Sequence, residues 1–310
     1  MKIIFMGSAA FSVPSLEAII KSSHQVVCVI TNPEKPAGRG LKNRSTPVAE
    51  LAAKYKIDIL TPATLRNNNE TVECIKRHTP DAIVVVAYGK FIPPDVLHIP
   101  AYGCLNLHPS LLPKYRGAAP IQRAIMNNEK KTGMTVMLLD EGMDSGPIFM
   151  QREIDIDLTD DALMLGEKLS KLGADMLLKT LHLIEGKQIE PVAQQHGLAT
   201  LAPKINREEG KLDFNRSSIE LHNIVRALIE WPTAWTLYKG NIVQVLGTEP
   251  VAEKPVHSPA AIVKIDKLGI HTATGNGILI IKSVKPAGSR EMDALSYANG
   301  RRMKPGDTLG

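Results

Sequence analysis

The chain has 310 residues, 44% of them apolar, and a mild net charge of +5. That length exceeds the roughly 100–200 residues of one domain, so two domains are expected. No apolar run approaches the roughly 18 residues that span a bilayer and nothing in Met1–Gly7 suggests export, so a soluble, cytoplasmic protein is expected.

The N-terminal half alternates β-branched runs with helical patterns, the signature of a parallel sheet with crossover helices. Residues 3–6, 26–30, 82–87 and 104–108 are the strand candidates, and their continuous hydrophobicity implies burial on both faces. Cys28 and Cys104 fall inside these runs and are expected in the core. With Cys74 they have neither metal-ligand spacing nor a paired framework. Pro14–Ile20 and Thr46–Ala52 read as crossover helices, each with proline in the tolerated first turn. The turn after the first strand, Gly7-Ser8-Ala9-Ala10-Phe11-Ser12, lacks G-x-G-x-x-G and puts a phenylalanine where a pyrophosphate would lie, so no dinucleotide cofactor is expected. Between a strand and a helix, residues 32–45 form an unusually long, basic, breaker-rich insertion where roughly 2–6 residues suffice. Its Lys35, Arg39, Lys42 and Arg44 can meet phosphates.

A long amphipathic helix is expected from Asp160 to Glu185, with a stripe from Leu163 to Leu181, and then a connector without periodicity. Beyond a short helix at 217–229, five strand candidates at 235–238, 242–246, 261–265, 270–273 and 278–281 suit a small β-barrel. This last third holds 13 Lys and Arg against 9 Asp and Glu between Lys211 and Gly310, a surplus that suits an anionic partner.

Asn106 and His108 carry the chemistry. Two apart in a strand, they share a face at its carboxyl end, and Pro109 then turns the chain away, where open α/β sheets bind ligands. An amide and an imidazole converging there can donate to a developing oxyanion, an effect of roughly 3–4 kcal/mol per donor. Asp144, in a glycine-flanked loop after the strand-like 135–139, is the candidate carboxylate partner, although Asp and Gly are also ordinary turn residues.

Residues 106–122, Asn-Leu-His-Pro-Ser-Leu-Leu-Pro-Lys-Tyr-Arg-Gly-Ala-Ala-Pro-Ile-Gln, resemble the signature of the formyltetrahydrofolate-dependent formyltransferases, and Leu139-Asp-Glu-Gly-Met-Asp-Ser-Gly146 looks like that family's second motif. The run Arg116–Gln122 and the Pro36-Ala-Gly-Arg-Gly40 order are similar to the branch whose acceptor is methionine carried on initiator tRNA. The resemblance covers nearly the whole chain. It implies a Rossmann-like formyltransferase fold, an open, doubly wound, parallel-type α/β sheet over residues 1–187. A linker at 188–208 and an OB-like, tRNA-binding β-barrel over 209–310 would follow.

It further implies Asn106, His108 and Asp144 as the catalytic residues and 10-formyltetrahydrofolate as co-substrate, with no metal. Ser110, Leu111, Leu112 and Pro113 would line the folate site, with groups around Val86, Tyr88, Gly89, Asp140 and Glu141 at the pterin edge. Asp140 could instead be structural. The basic loop would enter the acceptor arm of initiator methionyl-tRNA, and the protein would act as a monomer. Alternatives from the same residues are a formyltransferase or formyl-folate hydrolase working on a small-molecule acceptor, and an RNA-binding module with a degenerate enzyme core.

Overall fold

The computed structural model of the chain describes residues 1–37, 42–254 and 256–310. It divides into two compact units: Met1–Pro120, Lys131–Asp155 and Gly166–Pro203 form the first, and Ile121–Lys130, Ile156–Leu165 and Lys204–Gly310 the second.

Up to the long helix the elements are β1 (Lys2–Gly7), α1 (Val13–Ile20), β2 (Gln25–Ile30), β3 (Lys35–Ala37), β4 (Lys42–Arg44), α2 (Pro47–Lys54), β5 (Ile59–Leu60), α3 (Asn69–Arg77), β6 (Ala82–Val86), α4 (Pro94–Leu97), β7 (Cys104–His108), α5 (Pro120–Met126), β8 (Lys131–Leu138), β9 (Ile148–Asp155) and α6 (Ala162–Glu185). Seven strands make one sheet in the order β5-β2-β1-β6-β7-β8-β9. From β5 to β7 the pairing is parallel, as expected. The last two pairings are antiparallel, because β8 enters at the end where β7 leaves, with His108 opposite Thr135. The parallel-type reading therefore holds for five strands of a mixed sheet. The edge strand β9 escaped the reading since it is half-exposed and carries Gln151, Arg152, Glu153 and Asp155, the polar dress of an edge.

Every residue of β6 is buried, as a strand covered on both faces requires. Ile4, Met6, Cys28, Ile30, Ile83, Val85 and Cys104 belong to one core cluster that Ile75, Val96 and Tyr88 complete. Burying each of the aliphatic side chains contributes roughly 1.5–3 kcal/mol. Burial also pushes the Cys28 and Cys104 thiols up to about 12, so both are packing residues. Helix α2 begins as its sequence demands, with Thr46 Oγ1 accepting from Ala49 N at 3.1 Å and Pro47 in the first position.

Because the chain runs outward from β1 to β2 and β5, then returns to β6 on the other side of β1, the connections diverge beyond the carboxyl ends of β1, β6 and β7. Ligands of open α/β sheets bind at such a point. The basic insertion is not a featureless loop: β3 and β4 pair antiparallel with Lys35 opposite Arg44 and Ala37 opposite Lys42.

In the second unit, α7 (Ser218–Ala227) precedes β10 (Trp235–Tyr238), β11 (Asn241–Val251), β12 (Ile262–Asp266), β13 (Gly269–Ala273), β14 (Ile278–Pro286), β15 (Met292–Asp293) and α8 (Ala294–Arg301). The strands form an antiparallel, OB-like sheet in the order β10-β11-β14-β13-β12, with β15 added to β14. Lys239 (φ +48°) and Gly240 (φ +76°) supply the two left-handed residues of a tight hairpin turn. A Ser217–Glu220 capping box starts α7. The five strands read from sequence are all present. Two-residue β15 and α8, whose apolar pattern is weak, were not legible.

Candidate active site

Strand β7 delivers Asn106 and His108 on one face, between the buried Leu105 and Leu107. His108 is itself buried, and its Nε2 lies 2.9 Å from the Tyr115 carbonyl oxygen. A carbonyl only accepts, so Nε2 carries hydrogen and Nδ1 is the nitrogen left for chemistry. Nδ1 sits 3.6 Å from Asp144 Oδ2, and both side chains are largely enclosed. That oxygen also accepts from Gly117 N at 2.8 Å, a bond that orients the carboxylate. The Asn106 amide, partly exposed, has no hydrogen-bond partner among the described residues, so its donor remains available to a ligand. An amide N–H and the imidazole Nδ1 thus share one strand face, and a carboxylate stands beside that nitrogen. Such a set can hold an oxyanion and carry a proton.

Two left-handed residues shape the site. Tyr115 (φ +60°) turns its carbonyl onto His108, and Asp144 (φ +48°) turns its carboxylate inward. Conformations of this kind cost about 1–3 kcal/mol and persist only where neighbours hold them. Gly117 (φ +122°) packs so closely that a Cβ there would meet the Ala202 carbonyl oxygen at 2.8 Å. Residues 188–208 were expected to be a bare linker, yet part of this segment holds the site. Gln194 Nε2 donates to Asp144 O at 2.9 Å and Gly146 O at 2.7 Å, Tyr115 N donates to Thr200 Oγ1 at 2.9 Å, and Ala202 N donates to Arg116 O at 2.7 Å. Nothing local in the sequence marks these residues, because a glutamine and a threonine in an aperiodic stretch read as solvent-facing.

The residues expected at the folate site fall into two groups. Leu111, Pro113, Gly89 and Glu141 are at least partly exposed, and Gly89 (φ +72°) leaves its backbone open. Ser110, Leu112, Val86 and Tyr88 are buried. Ser110 Oγ donates to Lys114 O at 2.7 Å, which closes the loop after β7, and the Val86 carbonyl accepts from Ser12 Oγ at 2.6 Å. The Leu112 carbonyl accepts from Gln151 Nε2 at 2.7 Å. Tyr88 has a hydroxyl without a hydrogen-bond partner, and burial raises it to about 12. Asp140 is exposed and binds its own loop, accepting from Gly142 N at 3.1 Å and Ser145 Oγ at 2.8 Å. Of its two expected roles, the bracing one is what these bonds perform. On the basic insertion, Lys35, Lys42 and Arg44 lie on the β3–β4 ribbon, with Arg44 exposed, whereas Arg39 lies outside the described residues.

Fold and site together define the formyl transferase class: the family model described as "Formyl transferase" matches residues 1–181, and "Formyl transferase, C-terminal domain" matches residues 204–302. A methionyl-tRNA formyltransferase of Alkaliphilus oremlandii is 42% identical over 310 residues, 100% of both chains. Another, from a Sulfurihydrogenibium species, is 43% identical over 308 residues, 99% of each. Among solved structures, an N-formyltransferase from Helicobacter canadensis in complex with folinic acid and dTDP-3-aminofucose superposes with a TM-score of 0.69 at 20% identity, covering 94% of this chain and 100% of that one; this likeness concerns the fold. The chain belongs to the methionyl-tRNA formyltransferases.

Proposed function

We propose that Asn106, His108 and Asp144 transfer the formyl group of 10-formyltetrahydrofolate to the α-amino group of methionine esterified to initiator tRNA. The observation that carries this reading is the fixed ring orientation of His108: with Nε2 tied to the Tyr115 carbonyl, Nδ1 is directed at Asp144 and the reacting centre. The unprotonated amine attacks the formyl carbon, a C–N bond forms, and the carbonyl electron pair moves onto oxygen. Asn106 and protonated His108 donate to that oxyanion, which strengthens each bond as charge develops. On collapse the bond to folate N10 breaks. The amine's proton leaves through water held by Asp144 and is returned to the departing nitrogen.

The co-substrate fits the loop surfaces beside β7. Leu111 and Pro113 offer an apolar wall, and the open backbone around Gly89 offers polar groups to a pterin edge. Residues 1–187 supply the chemistry. The basic insertion, with Lys35, Arg39, Lys42 and Arg44 in its sequence, enters the acceptor arm, and residues 209–310 extend the grip on tRNA. The protein works as a monomer in the cytoplasm; no helix among the described residues is long and apolar enough to cross a membrane.

Incubation with 10-formyltetrahydrofolate and either charged initiator tRNA or free methionine tests this reading. Wild type formylates only the charged tRNA, and Asn106→Ala, His108→Ala and Asp144→Ala each lower kcat by about 100- to 1,000-fold. Robust formylation of free methionine, or activity that survives all three substitutions, would overturn it.

A further inference from the structure

Gln194 is buried and belongs to no regular element, yet its amide satisfies four polar groups around the site. Nε2 donates to the carbonyls of Asp144 (2.9 Å) and Gly146 (2.7 Å), while Oε1 accepts from Arg116 Nε (3.2 Å) and Nη2 (2.6 Å). This orientation is the only one the chemistry permits, since carbonyls only accept and a guanidinium only donates. The residue it grips at one end is Asp144, a non-glycine residue in the left-handed region whose Oδ2 faces both His108 Nδ1 and Gly117 N. The other end grips Arg116, whose own backbone N–H donates to Thr200 O at 2.8 Å and which follows Tyr115, the residue that fixes the His108 ring orientation. A single buried side chain therefore ties together the two loops that orient the imidazole and the carboxylate.

We infer that Gln194 is a positioning residue for formyl transfer, acting through Asp144 by holding its backbone in the left-handed conformation that keeps the carboxylate beside His108. The inference rests on the reading of His108 and Asp144 as the reacting groups. Loss of the tie lets the 140–146 loop relax and displaces Asp144. A displacement of about 1 Å at such a group costs on the order of 100-fold in rate. Substrate binding is untouched, because Gln194 is buried among protein groups.

Two variants separate this role from its alternatives. Gln194→Met keeps the volume and removes all four bonds. Gln194→Glu keeps an acceptor for Arg116 but turns a carboxylate oxygen onto the Asp144 and Gly146 carbonyls, which it cannot bond. Activities are measured on charged initiator tRNA at a temperature where the near-UV circular dichroism of each variant matches wild type. Both variants are expected to lower kcat about 10- to 100-fold with KM for tRNA and folate within about threefold of wild type. In the Asp144→Ala background, Gln194→Glu is expected to add less than about twofold, since a residue that acts through Asp144 has nothing left to hold. Wild-type kcat in Gln194→Glu would show that the residue works through Arg116 and would overturn the inference. So would losses that multiply in the double variant, the mark of a merely structural role. Full activity of Asp144→Ala alone would instead sink the reading of the catalytic residues, a result distinguishable from either.

Discussion

His108 and His24 can each be read from what faces the two ring nitrogens. His108 has Nε2 occupied by a carbonyl, which leaves Nδ1 for the reaction. His24 shows the opposite use of the same side chain. It is buried, its Nδ1 lies 3.4 Å from the Met1 ammonium, and its Nε2 has no hydrogen-bond partner. Burial foremost, then the Met1 ammonium, lowers its pKa below the ordinary value of 6.5, with Glu185 opposing and His182 adding to the shift. His222 is lowered in the same direction, again chiefly by burial. A histidine whose pKa is depressed in the fold contributes stability above its unfolded pKa and loses it as pH falls toward the folded value. Melting temperature is therefore expected to drop as pH is taken from about 7.5 down through 6.5, and His24→Gln should flatten that slope. A variant whose melting temperature tracks wild type over the whole range would contradict this. At this scale type and spacing nominated Asn106 and His108, and the motif resemblance added Asp144. Their orientation was not legible, because the groups that impose it are the Tyr115 carbonyl, the Gly117 N–H and Gln194.

The basic insertion owes its interest to being an element rather than a loop. A two-stranded ribbon sets Lys35 opposite Arg44 and Ala37 opposite Lys42, so its basic positions are presented by paired backbone. Ion pairing with phosphates is then an expected use of such a basic ribbon. Arg39→Ala and Arg44→Ala should each raise KM for tRNA several-fold and leave KM for folate unchanged; equal losses toward both substrates would show that the ribbon serves the fold instead. Elements were legible where pattern and caps agreed, as at α2 with Thr46 and Pro47, at the fully apolar β6 and along α6. Legibility failed at β9, whose exposed half carries charges, and at the short β15. A two-residue strand has no periodicity of its own and exists because β14 is there to pair with it.

For the molecule as a whole, charge is the property that matters most for a tRNA acceptor. The net +5 is modest, and Lys211–Gly310 carry 13 of the 37 basic residues against 9 of the 32 acidic ones. Binding that depends on such a surplus releases counterions from the nucleic acid, so affinity falls with salt. KM for tRNA should rise steeply between about 50 and 200 mM salt while KM for folate stays nearly flat; a flat tRNA response would mean that basic groups contribute little to recognition.

The sequence alone determined the parallel strands of the first sheet, the strands of the second unit and the basic insertion, because hydrophobic period, caps and residue type act over short stretches of chain; its motif resemblance supplied the OB-like fold and the three candidate groups. It also carried the family, through motifs at 106–122 and 139–146. Only the tertiary structure decided that β8 runs against the other strands of the sheet and that His108 presents Nδ1. It also decided that an aperiodic segment around Gln194, some fifty residues beyond Asp144, grips the loops that carry Arg116 and Asp144. Those outcomes rest largely on backbone carbonyls and N–H groups, which nearly every residue possesses whatever its side chain. Which of them meet is decided by where the folded chain places them.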